Sequence, residues 1–241
     1  MNPRPHARST KLIESCAQSF DVEVVPFDID KWSAGLTMAK ALDCMVDDDH
    51  DYLTDEITKR LLSGGTIDYL DDEESEYVRS TYQNLSEESQ KRWRQSASQL
   101  GGYAIKRLEA ENIEQYLDVT NQESQLMGDV LLMENDVYQR DYSERERFNA
   151  WMGQMARTAY MFDTLSDLIR DYNDGNMNIE PTLRVAAEAA RRALIELRHF
   201  AAVTPPAIYL GILQRGVTKS LEKAAMADFW TRQFVRRTPL Q

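Results

Sequence analysis

Histidine and cysteine, the residues that most often hold zinc, iron or copper, are scarce: three histidines and two cysteines in 241 residues. Cys16 and Cys44 lie far apart in no metal-ligand or redox spacing, which argues against a zinc or thiol centre and suits a reducing compartment. His6 and His199 have no partners at metal spacing, and His50 reads as an exposed neighbour of the acids around it. No apolar run approaches about 18 residues, so nothing in the sequence spans a membrane. The polar stretch Met1 to Thr10 holds no apolar signal core. Positive charge is in deficit: 28 Lys plus Arg against 40 Asp plus Glu give a net charge of −12, which argues against nucleic acid or an anionic membrane as partner. The expected location is the cytoplasm. There is no glycine-rich phosphate loop, no internal repeat and no change of composition that marks a linker. Strand-like residues are confined to Val22 to Phe27, a stretch too short to build a sheet.

What the chain does have is helical periodicity. After a disordered residue 1–8 segment, helical patterns run over 9–20, from Asp30 into the acids near Asp47, and over 53–63, 77–85, 86–110, 113–137, 143–174 and 182–203. Pro205-Pro206 breaks the last, and 207–213 and 218–236 follow. Asp68 to Glu76 reads as a solvated loop and helix start, and Gly64-Gly65 and Asn173-Asp174-Gly175-Asn176 as helix stops. The fold class expected is all-α, one helical domain over residues 9–241.

Two acidic rows stand out. Asp163, Asp167 and Asp171 recur every fourth residue in the longest helical pattern, among Met161, Phe162, Leu165, Leu168 and Ile169. Each step of four turns about 40° around the axis and rises about 6 Å, so the three carboxylates occupy one face. Asp43, Asp47 and Asp51, with Asp48 and Asp49, form a similar row upstream. Several ionised carboxylates around one apolar pocket repel one another and resist burial. Only Lys40 and Arg170 lie inside or beside the rows, so the counter-charge expected is a hard divalent cation, Mg²⁺ or Mn²⁺, on all-oxygen ligands. A calcium loop is excluded: Asp47, Asp49 and Asp51 fit positions 1, 3 and 5, but Tyr52 and Thr58 break positions 6 and 12.

These residues carry a resemblance. Lys40-Ala41-Leu42-Asp43-Cys44-Met45-Val46-Asp47-Asp48 resembles the first aspartate motif of squalene and phytoene synthases, and Leu168-Ile169-Arg170-Asp171-Tyr172-Asn173-Asp174 resembles the second. Both are also similar to segments of the small prenyltransferase of moenomycin biosynthesis. Asp47, Asp48 and Asp51 match the DDxxD of prenyl diphosphate synthases, and Asp163, Asp167 and Asp171 the i, i+4, i+8 metal triad of terpene cyclases. All belong to the class I isoprenoid synthase superfamily, which implies a single-domain helical bundle of the class I terpenoid synthase type.

The resemblance implies an enzyme that ionises an allylic prenyl diphosphate on Mg²⁺ and releases pyrophosphate. The implied metal ligands are Asp43, Asp47, Asp48, Asp51, Asp163, Asp167 and Asp171, with Asp43, Asp47, Asp167 and Asp171 as catalytic acids. Lys40, Tyr116, Phe162, Arg170 and Arg232 are implied at the substrate, with Arg236 beside Arg232 and Met127, Trp151 and Tyr160 as further walls. The chain departs from the pattern at Val46, where squalene synthases carry glutamate, and at Gly175, where their second motif ends in an acid. The basic pair that follows DDxxD in chain-elongating enzymes is missing, which favours a terpene synthase over a prenyltransferase joining two prenyl units. A non-catalytic acidic helical protein is the alternative of another class. A homodimer is a further expectation, although no motif records its interface.

Overall fold

The computed structural model describes residues 7–47, 49–133, 142–206 and 209. The chain divides into two units, 1–203 and 204–241; the first carries every element described below. Its described residues form eight α-helices and no strand: α1 Ala7–Gln18, α2 Pro26–Asp47, α3 Thr54–Leu62, α4 Asp72–Gln83, α5 Glu87–Leu108, α6 Ile113–Leu132, α7 Tyr142–Asp174 and α8 Leu183–Val203. No helix among the described residues is long and apolar enough to cross a membrane. The all-helical expectation is met; the expected helices over 207–213 and 218–236 lie outside the described residues.

The helix ends follow local chemistry. The strand-like stretch forms no strand, because Pro26 opens α2 with its fixed φ at the first helical position, four residues before the expected start at Asp30. The Asp28 carboxylate then reaches back to accept from the Val25 N–H at 3.1 Å. The acidic 68–76 stretch does contain a helix start: Asp71 caps α4 and pairs with Glu74 in a reciprocal capping box. Gly64, at φ 99°, releases the chain from α3. Gly101 bends nothing inside α5; a Cβ there would stand 1.9 Å from the Tyr52 carbonyl oxygen, so it lets the segment before α3 lie directly on the helix.

α6 is the hub, packing against α2, α5, α7 and α8. Gly35 permits the tightest of these crossings, since a Cβ on α2 there would lie 2.1 Å from the Leu131 carbonyl oxygen of α6. The main core joins Met38, Leu42 and Met45 of α2 to Leu61, Trp93, Leu100 and Val130. Fully burying each such side chain stabilises the fold by roughly 1.5–3 kcal/mol. A second, aromatic core stacks Trp151 against Phe20, Phe148 and Phe200. α2 and α7, which carry the two acid rows, both pack along α6, and hydrogen bonds from Asn176 and Asn178, just past α7, to the carbonyls of Asp47 and Leu108 bring the ends of α2, α5 and α7 together.

Candidate functional site

Both acid rows drift in the same direction. The turn of about 40° per four residues carries each row from water at its N-terminal rung toward the neighbouring helices at its C-terminal rung. On α2, Asp43 is exposed and Asp47 half-buried; on α7, Asp163 is exposed and Asp167 and Asp171 are half-buried. The innermost rungs, Asp47 and Asp171, sit in the last turns of their helices. Burial first, and the charge of Asp47 second, push the Asp171 carboxyl up to about 7. The rows therefore meet at one end of the bundle.

Arg107, in the last turn of α5, enters between α2 and α6. It donates from Nη2 to Asp47 Oδ1 at 3.0 Å, and its Nε lies 3.2 Å from Glu123 Oε2. The second contact is an ion pair without an aligned hydrogen bond. Burial works against the guanidinium charge, but Glu123, Tyr116, Asp47 and Tyr160 more than offset it and keep the group protonated. Glu123 is buried and pushed up to about 7, by burial first, against the pull of Arg107 and with the charges of Asp47 and Asp43 adding to it. Burial raises the phenols of Tyr116 and Tyr160 well above the usual tyrosine range. Both therefore stay neutral. Tyr52, just past the first acids, is raised by burial, with Arg107 and Asp47 acting in opposite senses.

Negative charge is in excess here. Asp47 and Glu123 pair with the buried cation Arg107, whose charge also reaches Asp171, and Asp43 adds its charge at Glu123, while Arg170 stands at the rim, 62% exposed, 2.8 Å from Asp167 and 3.8 Å from Asp171. The C-terminal ends of α2, α5 and α7 add partial negative charge of their own. The acids here offer carboxylate oxygens, the donors that hard divalent cations prefer, but in this arrangement no three His, Cys, Asp or Glu groups among the described residues stand close enough to hold an ion.

Of the residues singled out from the sequence, the structure brings together Asp43, Asp47, Asp167, Asp171, Arg170 and Tyr116, with Tyr160. The remaining described candidates lie outside that group. Asp51 turns its Oδ1 to the Leu53 N–H at 3.0 Å, ahead of α3. Asp163 is the outermost rung of α7 and acts on the site through Arg170, whose charge it helps to hold after Asp167 and Asp171. Phe162 is 40% exposed, because it lies about 200° around α7 from Tyr160. Trp151 and Met127 belong to the two cores. Lys40 is exposed on the rim of a shallow pocket that includes Thr37, Cys44, Tyr69 and Glu74. Asp48, Arg232 and Arg236 lie outside the described residues.

Two charged members of the site are not among those residues. Arg107 is 60 residues from Asp47 in sequence and adjoins neither acid row. Glu123 did leave a signal: it is the one acid on the buried α6 stripe of Tyr116, Thr120, Ser124 and Met127. Comparison with known proteins finds no match for the chain among protein-family models, curated proteins or solved structures.

Proposed function

We propose that this chain is a Mg²⁺-dependent class I isoprenoid enzyme of the terpene synthase kind, ionising an allylic prenyl diphosphate with release of pyrophosphate. One observation carries the proposal: the inner rungs of two distant acid rows, spaced and ordered as in that superfamily, share one end of the bundle with more negative charge than its arginines balance. A divalent cation bound by those acids supplies Lewis-acid withdrawal of charge from the departing diphosphate.

The chain's own residues do the rest. Asp47 and Asp171, with Asp43 and Asp167, provide the oxygen donors. Arg107 and Arg170 offer guanidinium donors to diphosphate oxygens, for which the planar fork is suited. Tyr116 and Tyr160 hold their protons, so their rings present neutral, electron-rich faces that tolerate an adjacent carbocation without capturing it. Water is kept away by the burial of Tyr116 and Glu123 and by the core behind Tyr160. A prenyltransferase that joins two prenyl units uses the same first step and differs only in what traps the cation.

The competing account is a non-catalytic acidic protein, favoured by the ion pairs of Arg107, which already meet Asp47 and Glu123 from within the chain. Incubation with geranyl, farnesyl and geranylgeranyl diphosphates plus Mg²⁺ separates the two. Pyrophosphate release that EDTA abolishes, with prenyl-derived hydrocarbon or alcohol products, is the expected result. A folded chain that leaves all three diphosphates intact at millimolar Mg²⁺ overturns the proposal.

A further inference from the structure

One face of α8 is open. The helix starts where Thr182 Oγ1 accepts from the Val185 N–H at 3.3 Å, and the side it packs against α6 and α7 holds Val185, Ala189, Ala193, Glu196 and Phe200, all buried. Away from them Leu183, Ala187, Ala190, Leu194, Leu197 and Ala201 follow one another at steps of four, three, four, three and four residues. That is the spacing of a helix that packs lengthwise against another helix. Leu183 and Leu194, 76% and 62% exposed, are the two most exposed large apolar side chains among the described residues. Ala187 is exposed as well, and the other three are half-buried.

One edge of this row is basic. Arg184, Arg191 and Arg198, all exposed, come directly after Leu183, Ala190 and Leu197, and each step of seven turns only about 20° around the axis, so the three guanidinium groups line a single edge. The opposite edge, Ala186, Ala193 and Phe200, carries no charge, so no acid borders the row on either side. Arg191 donates from Nε to Glu188 Oε2 at 2.9 Å, a surface pair that costs little to exchange for another carboxylate.

In a chain of net charge −12, that edge decides what the face receives. A second copy fits poorly: antiparallel α8 helices would set Arg191 against itself and Arg184 against Arg198, and parallel ones would set alanine on alanine at 187, 190 and 201. An anionic bilayer is repelled by the acidic body of the chain, and alanines that interrupt the leucines leave little to insert. The same alanines let a second helix approach closely. We propose that this face of α8 docks an amphipathic helix of a partner protein, with Leu183, Leu194 and Leu197 in its apolar row and Arg184, Arg191 and Arg198 on carboxylates along its edge. The proposal is independent of the reaction proposed above.

The probe is a fluorescein-labelled synthetic helix with leucine opposite each alanine of the α8 row, alanine opposite each leucine, and glutamate along the edge that meets the arginines. A companion peptide carries lysine in place of each glutamate. Fluorescence anisotropy against the full chain should show saturable binding of the glutamate peptide, with the lysine peptide at least about tenfold weaker. Leu194→Ser and Arg191→Glu should each raise the dissociation constant of the glutamate peptide about tenfold, the loss expected for a central contact residue, with circular dichroism unchanged. Arg191→Glu should also narrow the gap between the two peptides. A chain that binds neither peptide, or both equally, overturns the proposal, as does wild-type affinity in Leu194→Ser. Light scattering of the chain alone and sedimentation with phosphatidylserine vesicles test the other occupants. A dimer or a vesicle-bound fraction that Leu194→Ser abolishes would give the face to a second copy or to a membrane and overturn the partner helix.

Discussion

The two ends of α2 each carry a buried or half-buried aspartate, and they are balanced in opposite ways. At the N-terminal end Asp28, 3% exposed at its side chain, accepts from Lys31 at 2.9 Å and from Arg145 of α7 at 3.0 Å through Oδ1, while Oδ2 takes the Val25 N–H. Two cations meet one acid there, and the positive end of the helix dipole favours the carboxylate further. At the C-terminal end Asp47 meets one guanidinium, which it shares with Glu123, and Asp171 and Asp43 stand nearby. The dipole there is unfavourable to a carboxylate, by about 0.3–1 kcal/mol in exposed cases. A fold selected for stability alone has no reason to gather acids at that end. The first cluster is complete as it stands; under the proposed function a cation from outside completes the second.

The strongest test of this contrast is exchange of one carboxylate at each end. Asp47→Asn and Asp171→Asn are expected to lower Mg²⁺-dependent pyrophosphate release by about a thousandfold, the scale on which single groups that stabilise a charged transition state act. Asp47→Asn also breaks the ion pair with Arg107, whereas the thermal midpoint of Asp171→Asn should stay level or rise, because repulsion is relieved. Asp28→Ala should do the reverse. It leaves Lys31 and Arg145 with no counter-charge from Asp28, and losing one partner of a buried ion pair costs about 3–5 kcal/mol. Urea unfolding should show that loss, with activity per folded molecule retained. Equal destabilisation by Asp28→Ala and Asp171→Asn would erase the distinction between the two ends.

Arg107→Met sharpens the comparison from the other side. Without the guanidinium, Asp47 and Glu123 face each other unscreened, so a stability loss of about 3 kcal/mol is expected near pH 8. Added Mg²⁺ should restore part of it, since a ligand that binds only the folded chain stabilises it by mass action. An equivalent loss that Mg²⁺ leaves untouched would make Arg107 a purely structural counter-ion and the acid cluster a closed one.

These contrasts show where the sequence is legible. Helix existence follows from apolar spacing and from caps such as Asp71, and the acid rows announce themselves through their four-residue repeat. The direction in which a row drifts is also written in that repeat, and it places Asp171 inside and Asp163 outside. Which cation faces the acids is not local information: Arg107 reaches Asp47 only because α5 and α6 fold back beside α2. The same holds for Asn176, which reaches the Asp47 carbonyl from the turn that Gly175 opens. Phe162 is the converse case: it adjoins Asp163 along the chain yet is 40% exposed on the face of α7 turned about 200° from Tyr160.

The smallest effect is the response to pH, and its sign follows from the two raised carboxyls. Asp171 and Glu123 are each pushed up to about 7 in the folded chain, from an ordinary carboxyl range of about 4. Between about pH 4 and pH 7 the folded state therefore holds more protons than the unfolded one, and stability falls as pH rises through that window and levels off above it. Asp171→Asn should flatten the decline in the metal-free chain. Saturating Mg²⁺ should remove most of the decline, because the ion takes the place of the protons, and its affinity should climb with pH up to about 7 for the same reason. Metal-free unfolding curves that rise from pH 4 to pH 7, with the Asp171→Asn slope unchanged, would mean that the acid end of α2 is as well balanced as the other.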